Sequence, residues 1–299
     1  MRILKIALGF CLLSITIPGS VNAQTSVPPA IPHYPVPVFD RNDLTTNSSL
    51  SSRLWTGVQH SFNTWDLPIA AASVMTITQQ DGHIAPLERF GFDSRLSLSI
   101  GRTDNGKSLG SMSPIMLPLA ASTVRLSAML LIDAVSNVDY SPLAYEKLVR
   151  FHKALLYTYG LTSFAKNSFP RTRPDGSTNE SFFSGHTSIT FATSTYLYLE
   201  AKDFIDYLNW KNEGLPLLSP QAWKAMSFAA LYGWAGYVGY SRMRDRRHYV
   251  SDVVVGALAG TAISYLVYPK NKSADGPGRF QFGVQPTDGG AAVGLQFKF

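Results

Sequence analysis

The feature that most constrains this 299-residue chain is an apolar, helix-like stretch from Lys166 to Asp252 that three polar islands interrupt. The islands are Lys166 with Arg173-Pro174, then Ser184-Gly185-His186, then Ser241-Arg242 followed by His248 and Asp252. Three fixed cations, two histidines and a carboxylate are costly to enclose in an apolar fold unless an anion lies among them. The stretch therefore predicts a helical protein with an anion pocket.

Phosphate is the anion that the cations of these islands suit best. Phosphoryl transfer needs fixed donors around the non-bridging oxygens, because positioning and electrostatics supply most of its catalysis. Lys166, Arg173 and Arg242 offer such donors, and a guanidinium fork matches two phosphate oxygens. Ser184 and Gly185 precede a predicted helix, so they would lie at a helix N-terminus, where free N–H groups favour an anion.

The two histidines are predicted to carry the bond chemistry. His248 and Asp252 are four residues apart, so they would share one helix face if the last helix begins near them. A carboxylate placed there holds the imidazole in one tautomer and stabilises its positive charge, as an activated histidine nucleophile requires. His186 would then donate a proton to the leaving oxygen.

Together the islands resemble the three-part signature of the type 2 phosphatidic acid phosphatase superfamily, which also contains bacterial class A acid phosphatases and vanadium haloperoxidases. The resemblance covers about the C-terminal half and implies a mainly α fold, a helical bundle of the acid phosphatase/haloperoxidase type. The roles that it implies are phosphate binding by Lys166, Arg173, Ser184, Gly185 and Arg242, proton donation by His186, nucleophilic attack by His248, and support of His248 by Asp252.

One position departs from the family pattern. Phe183 stands where a proline usually precedes the Ser-Gly-His, so we expect a different loop shape with the same chemistry. Each island alone is most often an ordinary turn, a helix cap or a solvated ion pair. The three islands in the right order and spacing favour the phosphatase interpretation.

The whole chain is expected to divide into a signal peptide (1–23), a Pro/Ser-rich N-terminal arm (24–53), a helical phosphatase domain (54–269), and a linker with a β-hairpin (270–299). Residues 1–23 have a basic start, an apolar run and a small-residue cleavage pattern at Val21-Asn22-Ala23. Alternating apolar residues around Asp288-Gly289-Gly290 predict the hairpin. Cys11, the sole cysteine, lies in the signal, which excludes a cysteine nucleophile and disulfides.

An exported chain is expected in the periplasm or at the cell envelope. The longest uncharged stretches of its mature helices are 17 residues, short of the about 20 that a spanning helix needs. We therefore expect a soluble or peripherally attached bundle, with possible association with a membrane surface, rather than a polytopic one, although related lipid phosphatases are polytopic. Removal of Arg2 and Lys5 with the signal would leave 24 basic against 20 acidic residues and reduce the formal charge from +6 to +4, a modest positive balance that suits an anionic substrate. No basic and aromatic stripe in the sequence indicates nucleic-acid binding.

The predicted activity is hydrolysis of a phosphate monoester or of a lipid-linked (di)phosphate through a phosphohistidine. The partner would be a phosphorylated small molecule or lipid, and we expect no cofactor and no metal, because no Asp/Glu/His cluster has metal-ligand spacing. Three alternatives stay open: a vanadate-dependent haloperoxidase, a phosphotransferase, and a non-catalytic phospholipid-binding envelope protein.

Smaller expectations concern the surroundings of the islands. Helices are predicted at 143–164 and 223–240, which leaves Lys166 and Arg242 in loops. The glycines of the second helix, spaced by three, are expected to allow close helix packing; they are Gly233, Gly236 and Gly239. The charged run 244–247 favours a solvated loop over substrate recognition.

Overall fold

The structure of the protein is a computed structural model. It describes residues 55–78 with gaps at 56, 60 and 64, then 86–88, 90–93, 108–135, 142–210 and 217–269, and the backbone of 279–287 and 290–298. The predicted signal peptide (1–23) and N-terminal arm (24–53) lie outside these ranges.

Six long helices make up most of the helical part of the described ranges. They are α1 (Asp66–Thr78), α2 (Met116–Val135), α3 (Pro142–Ser168), α4 (Gly185–Trp210), α5 (Pro220–Arg244) and α6 (Val250–Val267). A short 3-10 helix, Leu109–Ser111, precedes α2. The prediction of a mainly helical protein is confirmed.

Two helices run further than the sequence pattern predicted. Lys166 lies in the last turn of α3, which continues to Ser168 and ends shortly before Pro170. Arg242 lies in the last turn of α5. The prediction that both cations lie in loops is therefore wrong, since proline and not the change in polarity ends α3.

The contact between α4 and α6 positions the second and third islands. A Cβ added to Gly260 would lie 2.0 Å from the carbonyl oxygen of Ser188, and one on Gly256 would lie 2.8 Å from that of Ser184. Only glycine permits backbones to approach this closely. The start of α6 is thereby held beside the start of α4.

The glycines of α5 behave differently from one another. A Cβ on Gly239 would lie 2.9 Å from Cγ1 of Val253, so this glycine does allow α5 to approach α6. Nothing lies within 4 Å of the Cβ position of Gly233 or Gly236. The packing prediction is confirmed for Gly239 and wrong for the other two, because they lie on an open side of α5.

A buried ion pair ties α1 to the middle of α3. Lys153 donates to Oδ2 of Asp66 at 3.0 Å, and the hydroxyl of Tyr157 donates to Oδ1 of the same carboxylate at 2.8 Å. Both charged side chains are buried. Next to this contact, an aromatic core containing Phe151 and Tyr196 joins α3 to α4.

Within the described ranges, α6 alone is long and apolar enough to cross a membrane, with a mean hydropathy of 1.7 over 18 residues. One face of α6 is buried against α4 through Gly256 and Gly260. The other face leaves Leu258 65% exposed and Leu266 73% exposed.

The C-terminal backbone runs as two antiparallel strands, β1 (Arg279–Thr287) and β2 (Gly290–Lys298). In their register Arg279 lies opposite Lys298 and Thr287 opposite Gly290. How this pair packs, against the helices or at a membrane, stays a prediction.

Candidate active site

Four helix ends meet around a pocket of about 290 Å³. The helices α3 and α5 end there, and α4 and α6 begin there. The pocket is lined by Ser111, Lys166, Arg173, His186, Arg242, Arg247 and His248. Five of the eight predicted site residues therefore share one cavity: Lys166, Arg173, His186, Arg242 and His248. The three others, Ser184, Gly185 and Asp252, are not among its lining residues.

Ser184 caps α4 instead of lining the pocket. Its hydroxyl oxygen accepts a hydrogen bond from Oγ1 of Thr187 at 2.9 Å, and its N–H donates to the carbonyl oxygen of Asp252 at 3.1 Å. The side chain is fully buried. Phosphate binding by Ser184 stays a prediction, and the contact that the structure gives its hydroxyl is that of an N-cap serine.

Gly185 is the first residue of α4 and lies next to the side chain of Lys166. A Cβ at this position would come within 3.3 Å of Cγ2 of Thr162 and within 4.0 Å of Nζ of Lys166. The first N–H groups of a helix have no intrahelical partner and favour an anion. Gly185 thus keeps the start of α4 close to the ammonium group, although it does not line the pocket itself.

The imidazole of His248 is buried and held by one backbone group. Its Nδ1 lies 2.7 Å from the carbonyl oxygen of Ser181. Because a carbonyl only accepts hydrogen bonds, Nδ1 must carry the proton, which leaves the lone pair on Nε2. Burial lowers the pKa of His248 below its ordinary value, against the opposing effect of Asp252, so the ring is neutral at pH 7.

Asp252 acts on this ring through Ser181. Its Oδ2 lies 3.9 Å from Nδ1 of His248, too far for a hydrogen bond. The same oxygen accepts from Oγ of Ser181 at 2.5 Å and from the N–H of Tyr249 at 2.9 Å. The expectation of a shared helix face is wrong, because α6 begins at Val250, so that His248 precedes the helix.

Arg171 is a buried residue that the sequence interpretation missed. Its Nη1 donates to Oδ1 of Asp252 and its Nη2 to Oδ2 of Asp93, both at 2.5 Å. The guanidinium lies over the ring of Tyr249, 4.4 Å from its centroid. One buried cation thus joins Asp252, the carboxylate next to His248 and Ser181, to a second carboxylate.

Asp93 completes this buried network. It accepts from the N–H of Ser251 at 3.1 Å and from its hydroxyl at 2.8 Å. Burial alone would raise the pKa of Asp93, but the hydrogen bonds from Arg171 and Ser251 hold it below its ordinary value. Asp93 is 78 residues from Arg171 and belongs to no motif, so the sequence carried no signal for it.

Arg242 is fixed from two sides. Its Nη2 donates to Oδ2 of Asp245 at 2.7 Å, and its Nε lies 3.3 Å from Oγ of Ser241. The hydroxyl of Ser108 donates to the same Asp245 carboxylate at 3.0 Å. The loop before α2, which also supplies Ser111, therefore forms a wall that no motif predicted.

His186 faces the cations of the pocket. Burial and the charges of Arg242, His248, Lys166 and Arg173 lower the pKa of His186 to about 4. With no anion present the ring is neutral at pH 7. An anion among the same cations would offset this effect and favour the protonated ring.

Arg247 lies at the mouth of the pocket. Its side chain is 45% exposed, as expected for the charged run, yet it is also a lining residue. It forms an ion pair of 3.1 Å with Asp175. The prediction of a merely solvated loop is corrected for this residue.

Among the described residues, no group of three or more His, Cys, Asp or Glu is arranged to hold a metal ion.

Comparison with known proteins identifies residues 147–273 as a PAP2 superfamily domain, which confirms the resemblance drawn from the three islands. Over 109 residues, 36% of this chain, the sequence is 34% identical to the lipid A 1-phosphatase of Porphyromonas gingivalis, of which 20% is covered. It is 36% identical to phospholipid phosphatase 1 of Mus musculus over 89 residues, 29% of this chain and 27% of that protein. The chain thus spans less than a third of either relative.

Among solved structures, the chain is similar to the crystal structure of LpxE from Aquifex aeolicus, with a TM-score of 0.37 and 21% sequence identity. The match covers 61% of this chain and 98% of that one.

Proposed function

We propose that this chain is a phosphatase that transfers a phosphoryl group from a phosphate monoester to His248 and then to water. The observation that carries the proposal is that His186 and His248 line one pocket together with Lys166, Arg173 and Arg242. Two imidazoles and three fixed cations around one cavity are what a covalent phosphoryl transfer requires.

In the first step Nε2 of His248 attacks phosphorus, while the bond from phosphorus to the ester oxygen breaks. The electron pair of that bond goes to the leaving oxygen, which takes a proton from His186. The Nδ1–H of His248 stays on the carbonyl oxygen of Ser181 and stabilises the positive charge that the ring acquires.

In the second step water attacks the phosphorus of the phosphohistidine. His186, now neutral, takes a proton from that water, the P–N bond breaks, and the electron pair returns to Nε2 of His248. Free phosphate leaves, and both rings are restored to their starting states. No metal is needed for charge stabilisation in this scheme, because Lys166, Arg173 and Arg242 surround the non-bridging oxygens.

The protonation of His186 depends on the substrate. Burial and the surrounding cations lower the pKa of His186 to about 4, so these groups alone keep the ring neutral at pH 7. A phosphate dianion offsets the cations that lower this pKa, so the substrate itself favours the protonated form. The proton donor is thereby made available when there is an ester to cleave.

We propose a lipid-linked phosphate as the substrate. The relatives are a lipid A 1-phosphatase and a phospholipid phosphatase. The helical part also exposes large apolar side chains on several helices, among them Leu67, Leu131, Leu258 and Leu266. Such surface is unusual on a soluble monomer and suits contact with acyl chains. In this proposal the exported protein lies at a membrane, with the pocket open to the periplasm.

A substrate screen with the purified full chain tests the proposal. We expect hydrolysis of phosphatidic acid in mixed micelles, with or without EDTA, and none by His248→Ala. A halide- and peroxide-dependent activity in the presence of vanadate, without phosphate release from any ester, would contradict it.

Flotation with liposomes tests the part of the proposal that places the protein at a membrane. The chain should rise with neutral phosphatidylcholine vesicles in high salt, because apolar contact is insensitive to salt. A chain that stays in the bottom fraction without detergent would contradict membrane association and leave the phosphatase assignment intact.

A further inference from the structure

We propose that Arg247 forms a second anion subsite at the mouth of the pocket, so that the protein prefers a diphosphate ester to a phosphate monoester. This inference rests on the proposed function, because it places the terminal phosphoryl group on His248. It assigns a role to a cation that the three islands do not include.

The exposure of the lining side chains distinguishes the closed end of the pocket from its open end. His248 is 4% exposed and Arg242 is 6% exposed, whereas Arg173 is 18% exposed and Arg247 is 45% exposed. The nucleophile therefore lies at the closed end. The rest of a substrate whose terminal phosphoryl group reaches His248 extends toward the exposed side of the pocket, where Arg247 is the most exposed of these four side chains.

The backbone holds Arg247 beside the nucleophile. The N–H groups of Arg247 and His248 both donate to the carbonyl oxygen of Arg242, at 3.0 and 3.3 Å. Both residues thus share one anchor at the end of α5, while the guanidinium of Arg247 stays at the surface. In a diphosphate the inner phosphorus is one bridging oxygen from the outer one, so we infer that the side chain of Arg247, which starts next to His248 and lines the same pocket, can reach its oxygens.

The present partner of Arg247 is easily exchanged. Its ion pair with Asp175 lies at the surface, with that carboxylate 24% exposed, and exposed ion pairs contribute little stability. Arg242, in contrast, is paired with Asp245, whose side chain is 1% exposed. An inner phosphoryl group offers the guanidinium of Arg247 two charged oxygens and can displace Asp175.

The chemistry stays that of the proposed function. Nε2 of His248 attacks the outer phosphorus, and the bond from that phosphorus to the bridging oxygen breaks. The leaving group is a phosphate monoester, which takes the electron pair and a proton from His186. Arg247 stabilises the negative charge that grows on this leaving group, which it cannot do for a simple alcohol.

A matched pair of uncleavable ligands tests the subsite without turnover. Methylenediphosphonate has a P–C–P link that this reaction does not break, and methylphosphonate carries only one of its phosphonate groups. We expect calorimetry on the full chain at pH 7 to show methylenediphosphonate bound at least about tenfold more tightly, the size of one charge-assisted contact.

Three variants distinguish a specific contact between Arg247 and the ligand from a general effect of positive charge near the pocket. Arg247→Gln should cut this preference to about threefold or less. Asp175→Asn should increase the affinity for methylenediphosphonate, since it frees Arg247, while the amide oxygen can still accept from the N–H of Ser177, as Asp175 does at 2.9 Å. Arg244→Gln removes the same charge from the same run, from a residue that does not line the pocket, and should keep the preference.

The outcomes distinguish this inference from the proposed function. A wild type without preference, or a preference that survives Arg247→Gln, overturns the subsite and leaves the phosphatase standing. A preference that Arg247→Gln abolishes, in a protein that cleaves no phosphate ester, supports the subsite and overturns the phosphatase. Binding of neither phosphonate overturns both.

Discussion

Nδ1 of His248 donates to the carbonyl oxygen of Ser181 at 2.7 Å. This contact decides which nitrogen of the ring is free to react, because the carbonyl fixes the proton on Nδ1 and leaves Nε2 with its lone pair. Oδ2 of Asp252 lies 3.9 Å from Nδ1 of His248 and accepts a hydrogen bond from the hydroxyl of Ser181 instead. The imidazole of His248 is therefore oriented by a backbone oxygen, and the carboxylate of Asp252 positions the residue that carries this oxygen.

The two histidines, His186 and His248, should be required for activity but not for folding. His248→Ala removes the nucleophile and His186→Ala the proton donor, so we expect the kcat of each variant to fall by at least about 10³-fold. Circular dichroism should show unchanged helix content. Phosphate release at the wild-type rate in either variant would contradict the assigned roles.

Arg171 should act as a positioning residue. Arg171→Lys keeps a buried cation but loses the two-sided fork between Asp93 and Asp252, so we expect kcat to fall about tenfold or more while KM changes less than about threefold. A purely structural role would instead lower stability and the amount of active enzyme without this split between kcat and KM.

Ser181→Ala tests the same chain of contacts one step closer to the ring. It deletes the hydroxyl that binds Asp252 but keeps the carbonyl that binds His248. We expect its free energy of unfolding to fall by about 1–3 kcal/mol, because one buried carboxylate oxygen loses a donor. Because Asp252 acts on the ring through this hydroxyl, kcat should fall here as well, with KM changed less than about threefold. An unchanged kcat in Ser181→Ala would mean that Asp252 and Arg171 do not position the ring through Ser181.

The pKa of His186 should depend on the anion in the pocket. Histidine-labelled NMR should give a pKa of about 4 without ligand and a higher one with sulfate, a tetrahedral dianion that does not titrate in this range. Between these two pKa values binding takes up a proton, so sulfate affinity should rise as pH falls and level off below about pH 4. The spectrum of His186→Gln assigns the signal. A ring that titrates near 6.5 with and without sulfate would refute the electrostatic argument.

Two glycine substitutions should have opposite effects on stability. Gly260→Ala places a methyl group 2.0 Å from the carbonyl oxygen of Ser188, so α6 must move away from α4 and the free energy of unfolding should fall by about 3 kcal/mol. Gly236→Ala has nothing within 4 Å and should raise it by about 0.5–1 kcal/mol, the helix propensity difference. Thermal unfolding in detergent measures both; equal effects would show that α4 and α6 are not in close contact.

The sequence predicted the cations and histidines well because each belongs to a short motif whose chemistry is local. Lys166, His186 and His248 could be placed in one pocket without knowing how the helices pack. Residue type and order were sufficient for these predictions.

The residues that support the site were out of reach of sequence patterns. Arg171 lies between Lys166 and Arg173, the two cations predicted in the first island, but is not part of the motif. Its partner Asp93 comes from a segment without a motif. The cap contact of Ser184 with Thr187 was not predicted either, because it depends on the exact start of α4. Close helix packing likewise falls on Gly260 and not on Gly236, because the packing partner is set by tertiary structure and not by glycine spacing.

The stereochemical course at phosphorus tests the central claim most directly. The full chain would hydrolyse a phosphorothioate monoester made chiral with two oxygen isotopes, in water of the third isotope, and the configuration of the released thiophosphate would be read by NMR. Transfer to His248 and then to water involves two in-line displacements, each of which inverts the configuration, so the account predicts net retention. Net inversion would mean that water attacks the ester directly, and would contradict a phosphohistidine at His248.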